Sequence, residues 1–217
     1  MKRILTSFTL TLILSLSLIT VTSCGNNGSA NQSGNNQNND SGLEQLTPSQ
    51  GLEFTSFGNN TCYISDIGTC RDTHLVIPAT APNGEKVTAI GEDAFEDCPE
   101  ILKVTIPSSV IVINSGAFED CSGITSVTIQ KGVTSIGEYA FYSCTSLKSI
   151  VIPESITTIG ENAFGDCPSL TSVTFKDTAG WRADTLSVSP SDLKIAATAA
   201  NLLTTTHSSA TWVKASN

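Results

Sequence analysis

Charge and reactive side chains are scarce in this 217-residue chain. Asp, Glu, Lys and Arg make up only 14% of it, and there are two histidines, His74 and His207. No Gly-x-Ser-x-Gly, His-Glu-x-x-His or phosphate-loop pattern occurs, and no nucleophile motif lies near either histidine. Neither an enzyme nor a cofactor is therefore expected. Basic residues are scarcer than acidic ones, 11 Lys and Arg against 20 Asp and Glu, and Lys2 and Arg3 stand at the extreme N-terminus. From residue 24 onward the balance is 9 against 20, a net of −11. Binding to nucleic acid or adsorption to anionic lipid needs a basic footprint, so charge supports neither. The acidity itself speaks mainly of solubility.

What the chain does have begins with two unlike N-terminal stretches. Lys2 and Arg3 precede an apolar run from Ile4 to Ile19, then Val21-Thr22-Ser23-Cys24. That is the layout of an export signal, somewhat short for a stable membrane span. The small residues before Cys24 resemble the lipobox of bacterial lipoproteins. In that family the chain is cut before the cysteine, which is diacylated and becomes the first residue. A plain secretory signal and a single-pass anchor are the other readings, the latter disfavoured because no basic stop-transfer segment follows. Residues 25–42, GNNGSANQSGNNQNNDSG, hold no apolar residue larger than alanine. Such a stretch cannot offset its ordering entropy and reads as a flexible tether, with a typical span of ~25 Å.

The middle of the chain is one 23-residue unit written four times, starting at Val87, Val110, Val133 and Ile156. Self-similarity at this period marks a solenoid. Each unit opens with an apolar pair (Val87/Ile90, Val110/Ile113, Val133/Ile136, Ile156/Ile159) and closes on an alternating stretch (ILKVTI, ITSVTI, LKSIVI, LTSVTF). Alternation is what a strand with one buried face requires. Between them stands Gly-x-x-Ala-Phe-x-x-Cys, with Asn114 in place of the glycine in the second copy. Gly91, Gly137 and Gly160 suit a tight turn or a positive φ, where Asn is the usual substitute.

This Ile-Gly-x-x-Ala-Phe-x-x-Cys block followed by Val-Thr-Ile-Pro resembles the BspA-like, or Treponema-type, leucine-rich repeats. The resemblance runs without slippage across residues 87–175 and implies a mainly β, right-handed solenoid with a short strand ladder. It reaches back to Leu75-Val-Ile-Pro78, with an insertion in ATAPNGEK before Val87. Upstream, Leu52-EFTSF and Cys62-YIS read as paired strands around Gly58-Asn59-Asn60 that cap the N-terminal end. Downstream, Ser189-Pro190-Ser191 reads as a capped start of one helix through DLKIAATAANLL, and Thr211-Trp-Val-Lys as a last strand. The expected organisation is a signal over 1–23, Cys24 and tether over 24–42, and a repeat domain over 43–217. Within that domain, 43–86 form the N-cap and a partial repeat, 87–178 the four repeats, and 179–217 a mixed α/β C-cap. Caps are needed because end repeats would otherwise expose core.

Four repeat cysteines, Cys98, Cys121, Cys144 and Cys167, invite a metal reading that geometry denies. Rungs ~4.8 Å apart spread four equivalent sulfurs along ~14 Å, whereas tetrahedral zinc needs them converged. No metal is expected, and the four read as an inward ladder of small hydrophobes. Phe95, Phe118, Phe141 and Phe164 read as the matching aromatic ladder. Cys62 and Cys70, outside the repeats, are a candidate disulfide in an exported protein, two separate thiols being the alternative. Glu96-Asp97 and Glu119-Asp120, partly matched by Asp166, read as solvated turns rather than a shallow calcium site.

The candidate binding face is the outward side of the closing strands: Lys103, Thr105, Ser126, Thr128, Ser149, Val151, Ser172 and Thr174. Tyr139 and Tyr142 on the far turn of the third unit join the candidates, since tyrosines are frequent at protein contacts. Against this, Ser and Thr rows also satisfy plain strand propensity on a solvated face. The resemblance implies display on a bacterial surface and adhesion to host matrix or other cells. The expected partner is an extracellular or envelope protein or glycan, with the membrane reached through lipid on Cys24. Gly25 lacks the aspartate that commonly retains lipoproteins at the inner membrane, which fits an outer location. A periplasmic scaffold for envelope proteins or cell wall is the alternative.

Overall fold

The computed structural model describes residues 46–215. The expected signal over 1–23, Cys24 and the expected tether over 25–42 lie outside the described residues. Two sheets form two sides of a right-handed solenoid, and the turns between them form a third. One sheet is all parallel and consists of β3 (His74–Val76), β5 (Lys103–Ile106), β7 (Ser126–Ile129), β9 (Ser149–Ile152) and β11 (Ser172–Phe175). The other has a parallel centre of β2 (Thr61–Asp66), β4 (Lys86–Ile90), β6 (Val112–Ile113), β8 (Ser135–Ile136) and β10 (Thr158–Ile159). β1 (Glu53–Ser56) pairs antiparallel with β2, as the two strand-like runs around Gly58 predicted. The extra residues before β4 fold into a small turn of their own, where Ala81 N–H donates to Glu85 O at 2.8 Å.

Register keeps equivalent residues in rows. Val104, Val127, Ile150 and Val173 pair in sequence along the parallel sheet, all buried. Ile64, Ile90, Ile113, Ile136 and Ile159 do the same across the other sheet. Between the sheets, Phe95, Phe118, Phe141 and Phe164 stack with ring centroids 5.0, 5.1 and 5.5 Å apart and planes within 8° of parallel. The cysteine ladder is interior too, but these thiols are more than small hydrophobes. Cys121, Cys144 and Cys167 Sγ donate to the carbonyls of Phe95, Phe118 and Phe141 at 3.0, 3.3 and 3.1 Å. Each thiol thus ties its rung to the one before.

The turn side has its own ladder, which the repeat pattern did not predict. Phe95, Phe118 and Phe141 N–H donate to Ala117, Ala140 and Ala163 O at 3.0, 2.8 and 2.8 Å. Flanking bonds run the same way, such as Asp93 N–H to Ser115 O and Asp97 N–H to Glu119 O. The positive φ expected at Gly91, Gly137, Gly160 and Asn114 falls elsewhere. It is found two residues later, at Asp93, Gly116, Tyr139 and Asn162, with φ of 53°, 62°, 55° and 51°. It recurs just before the cysteines, at Asp97, Asp120, Ser143 and Asp166, with φ of 53°, 56°, 59° and 50°. Gly160 is small for another reason, because a Cβ there would sit 2.4 Å from Glu138 N of the preceding rung. Asn114 fits the equivalent position by donating its side-chain amide to Ile90 O at 2.7 Å.

The C-terminal end closes differently from the expected single helix. A hairpin of β12 (Trp181–Ala183) and β13 (Leu186–Ser187) is followed by α1 (Pro190–Leu193), α2 (Ala196–Asn201) and a π-helical turn, Leu202–Thr206. Ser189 caps α1 as predicted, its hydroxyl accepting from Ser191 N–H with Pro190 in the first turn. The helix then breaks at Ile195, which is extended (φ −98°, ψ 104°). Leu193 and Ala199 are both buried, yet on one straight helix they would point about 120° apart at ~100° per residue. The break lets both face the core. The last strand, β14 (Trp212–Lys214), runs antiparallel to β10 and ends the isoleucine row by setting Trp212 against Ile159. Trp181 and Trp212 pack on Phe175 with centroids 5.3 and 6.2 Å away. Both indole N–H groups are satisfied, by Asp177 O and His207 O at 3.0 and 3.1 Å.

Candidate binding surface

The eight candidate residues on the parallel sheet form two rows on its outward side. Lys103, Ser126, Ser149 and Ser172 are register partners in turn, as are Thr105 with Thr128 and Val151 with Thr174. All eight are at least partly exposed, while their neighbours along each strand are buried. Val151 is 44% exposed, an apolar residue held outward by the strand period. One residue of this face escaped the sequence reading. β3 adds a fifth strand, with His74 opposite Lys103. His74 Nε2 lies 3.0 Å from Thr105 Oγ1. The signal was present: Thr73-His-Leu-Val-Ile-Pro78 aligns with Leu102-Lys-Val-Thr-Ile-Pro107 once the partial repeat is extended by two residues.

The two rows contain no carboxylate. Acids nearby are engaged at the rim, where Glu154 accepts from Lys131 at 2.7 Å and Asp177 pairs with Lys214. The hydrogen bond from Lys131 and then its charge hold the Glu154 carboxyl below its ordinary range. The hydrogen bonds from Lys214 and from Ala179 N–H do the same for Asp177. The face is therefore hydroxyl-rich, lightly basic at Lys103 and able to donate and accept through every rung.

Tyr139 and Tyr142 stand on the turn side instead, away from these rows. Their rings meet edge to face at 5.4 Å, and Asn162 Nδ2 donates to the Tyr139 hydroxyl at 3.3 Å. The same ridge carries Glu96-Asp97 and Glu119-Asp120. Burial, then Asp120, Glu96 and Asp93, push the Glu119 carboxyl above its usual range. Among the described residues no three His, Cys, Asp or Glu are placed to hold a metal ion. Neither histidine forms an ion pair there, and His207 is spent on the cap, its ring 6.2 Å from Trp212.

The cysteines offer little chemistry. Burial pushes the Cys121 and Cys167 thiols up to about 12 and raises Cys144 as well. Cys62 and Cys70, the candidate disulfide, are both buried and are unbonded thiols in this structure. Cys62 Sγ is turned onto the β4 backbone, toward Lys86 O at 3.7 Å, while Cys70 sits in the loop after β2. Burial first, then the Glu85 charge, raises the Cys62 thiol.

Comparison with solved structures places this architecture among bacterial repeat proteins. A leucine-rich repeat protein from Bacteroides capillosus is 34% identical, with a TM-score of 0.54 over 58% of this chain and 95% of that one. The T. pallidum leucine-rich repeat protein is 26% identical, with a TM-score of 0.48 over 59% and 70% of the two chains. One from Bacteroides ovatus is 28% identical, with a TM-score of 0.46 over 56% and 39%. Among curated proteins no significant match is found. The profile of the BspA-type leucine-rich repeat region matches residues 70–180 in six copies. That span takes in the partial repeat at β3 as well as the four full units, and the chain belongs to the BspA-type leucine-rich repeat family.

Proposed function

We propose that the mature chain is a lipid-anchored, exported solenoid that binds a protein or glycan through the outward face of its parallel sheet. The observation that carries this reading is the face itself, five parallel strands whose outward rows hold hydroxyls, Lys103, His74 and an exposed Val151 without one carboxylate. A surface that only needed solubility in a chain of net charge −9 would be expected to carry acids there too. Leucine-rich repeat solenoids present such surfaces to proteins and other ligands, and fold alone leaves the partner open. In this reading residues 1–23 are removed, Cys24 carries lipid, 25–42 act as tether and 43–217 are displayed at the cell surface for adhesion to matrix or to other cells. The bacterial source of the relative from Bacteroides capillosus agrees with lipidation at a lipobox-like cysteine.

The test joins location to binding. Metabolic labelling with an alkyne fatty acid should mark the wild-type chain and not Cys24→Ala. Protease shaving of intact cells should then remove the 43–217 domain while a periplasmic control survives. The exposed chain should bind at least one matrix protein or glycan, and Thr128→Arg with Val151→Arg should weaken that binding at least tenfold without lowering stability. Full protection of a membrane-associated domain overturns the surface reading in favour of a periplasmic scaffold. Binding indifferent to both arginines overturns the assignment of the face.

A further inference from the structure

A second site lies at another corner of the molecule, where the N-terminal hairpin meets the first two turns. Phe57 is 55% exposed, an unusual position for an aromatic ring in a chain with so few of them. It sits on a pinned turn: its N–H donates to Thr61 O at 2.9 Å, Gly58 N–H donates to Ser56 Oγ, and Ser56 Oγ donates to Glu85. Its ring lies 5.1 Å from that of Tyr63, tilted by 38°. Tyr63 is seated in turn on Gly91, where a Cβ would come within 2.9 Å of the Tyr63 ring. The two rings, Gly91, Glu92, Asn114 and Ser115 line an open cavity of about 390 Å³, within the ~300–1,000 Å³ range of small-molecule sites.

We propose that this corner binds a single sugar residue of a glycan. Two adjoining aromatic faces offer negative π surface to the weakly polarised C–H groups of a pyranose. The polar wall supplies what its hydroxyls require. Glu92 accepts, Ser115 Oγ both donates and accepts, and Asn114 is held by its Nδ2 on Ile90 O with its Oδ1 left to accept. Among the described residues Glu92 and the Ser115 hydroxyl make no side-chain hydrogen bond of their own. The cavity is open and has two rings in its wall, not the closed aromatic box that an ammonium ion prefers. The site is independent of the Ser and Thr rows on the parallel sheet.

Purified full chain would be titrated by ligand-observed NMR with glucose, galactose, mannose and N-acetylglucosamine, each as free sugar and as the terminal residue of a tetrasaccharide. Tetramethylammonium would serve as the cationic control. Binding of at least one sugar is expected, lost at least tenfold in Phe57→Leu and kept in Phe57→Trp, since stacking needs an aromatic face and an apolar patch does not. Thr128→Arg should leave it unchanged. Binding kept in Phe57→Leu but lost in Thr128→Arg would put the sugar on the sheet face and overturn the proposal. Phe57 is exposed, so neither substitution is expected to disturb folding, and unchanged melting curves would confirm that. No sugar binding up to 50 mM (roughly the weakest affinity of interest), equal binding by the Leu and Trp variants, or preference for tetramethylammonium would each overturn the proposal.

Discussion

On the outward face of the parallel sheet, side chains are free of backbone duty, whereas on the turn ridge almost every position is committed to it. Strand backbones there pair with their neighbours whatever the outward residue is, so Lys103, Ser126, Ser149 and Ser172 can occupy one row. Each ridge turn instead needs two residues with φ near 55° and a chain of N–H donors aimed at the next rung. Asp, Asn and Gly tolerate that left-handed conformation best. The repeated acids Asp97, Asp120 and Asp166 therefore answer to the backbone, and their recurrence is no sign of a cation. Repetition on the ridge reports folding; departure from a uniform row on the sheet, as at Lys103 and Val151, is where binding has room to be written.

The largest contrast is expected between either surface and the shared core. Phe118→Ala, in the middle of the stacked rings, should cost ~3–5 kcal/mol, whereas Thr128→Ala on the sheet face should stay within about 0.5 kcal/mol. Urea denaturation of both variants measures the contrast. Equal losses would mean that the outward rows carry structural load and are not a free face.

Alkaline pH probes the same core without mutation. The folded state keeps the Cys121 and Cys167 thiols protonated up to about 12, while in the unfolded chain they ionise near their ordinary value of about 8.5. A folded pKa raised above the unfolded one gives stability that is complete below the unfolded value and is lost as pH rises toward the folded one. The chain should hold its stability to about pH 8 and then lose up to ~1.4 kcal/mol per pH unit for each such thiol. The same thiols should ignore a disulfide reagent at pH 8 until denaturant is added. Urea midpoints measured from pH 7 to 10 and a thiol count with and without denaturant check both statements.

A smaller effect isolates the hydrogen bond within the ladder. Cys144→Ala removes the donor to Phe118 O and leaves a small void. Because Cys121 N–H also reaches that carbonyl at 3.3 Å, the loss should stay at about 1–2 kcal/mol. A cost well above that range in a denaturation series would show that the thiol bonds hold the rungs together more than the stacked rings do.

Much of this architecture was legible in the chain, and the boundary of legibility has a physical cause. The two strand families, the inward Phe and Cys rows and the outward Ser and Thr rows follow from period 2 within a unit and period 23 between units. The hairpin cap and the Trp212 strand followed from turn residues and alternation. What escaped was geometry that depends on the neighbouring rung. Gly137 and Gly160 are small because a backbone passes close by, a constraint that looks the same in sequence as a positive φ. The helix break at Ile195 answers to burial of Leu193 and Ala199 on the last rung, which helical periodicity alone does not foresee. His74 is hidden in the sequence because Asp72 stands where the other units open this stretch with Ile101, Ile124, Leu147 and Leu170. The Phe57–Tyr63 corner joins residues from different rungs, and no local motif announces it.

One residue on the ridge departs from this backbone rule. Tyr139 takes φ of 55° at the ridge position where the other units place Asp93, Gly116 and Asn162. A bulky side chain there is strained, at a cost of about 1–2 kcal/mol for an L-residue in this region. The Tyr142 ring edge and the Asn162 amide recover part of it. Tyr139→Asn gives the turn a residue suited to its backbone and gives up the ring contact, so the balance should be a gain of at most about 1 kcal/mol. It should appear as a small rise in urea midpoint. A loss of stability would mean that the tyrosine pair is itself part of the ridge's structure, placed there for packing. A gain would leave Tyr139 as a ridge residue kept against the preference of its own backbone, and strain retained in that way points to contact with a partner.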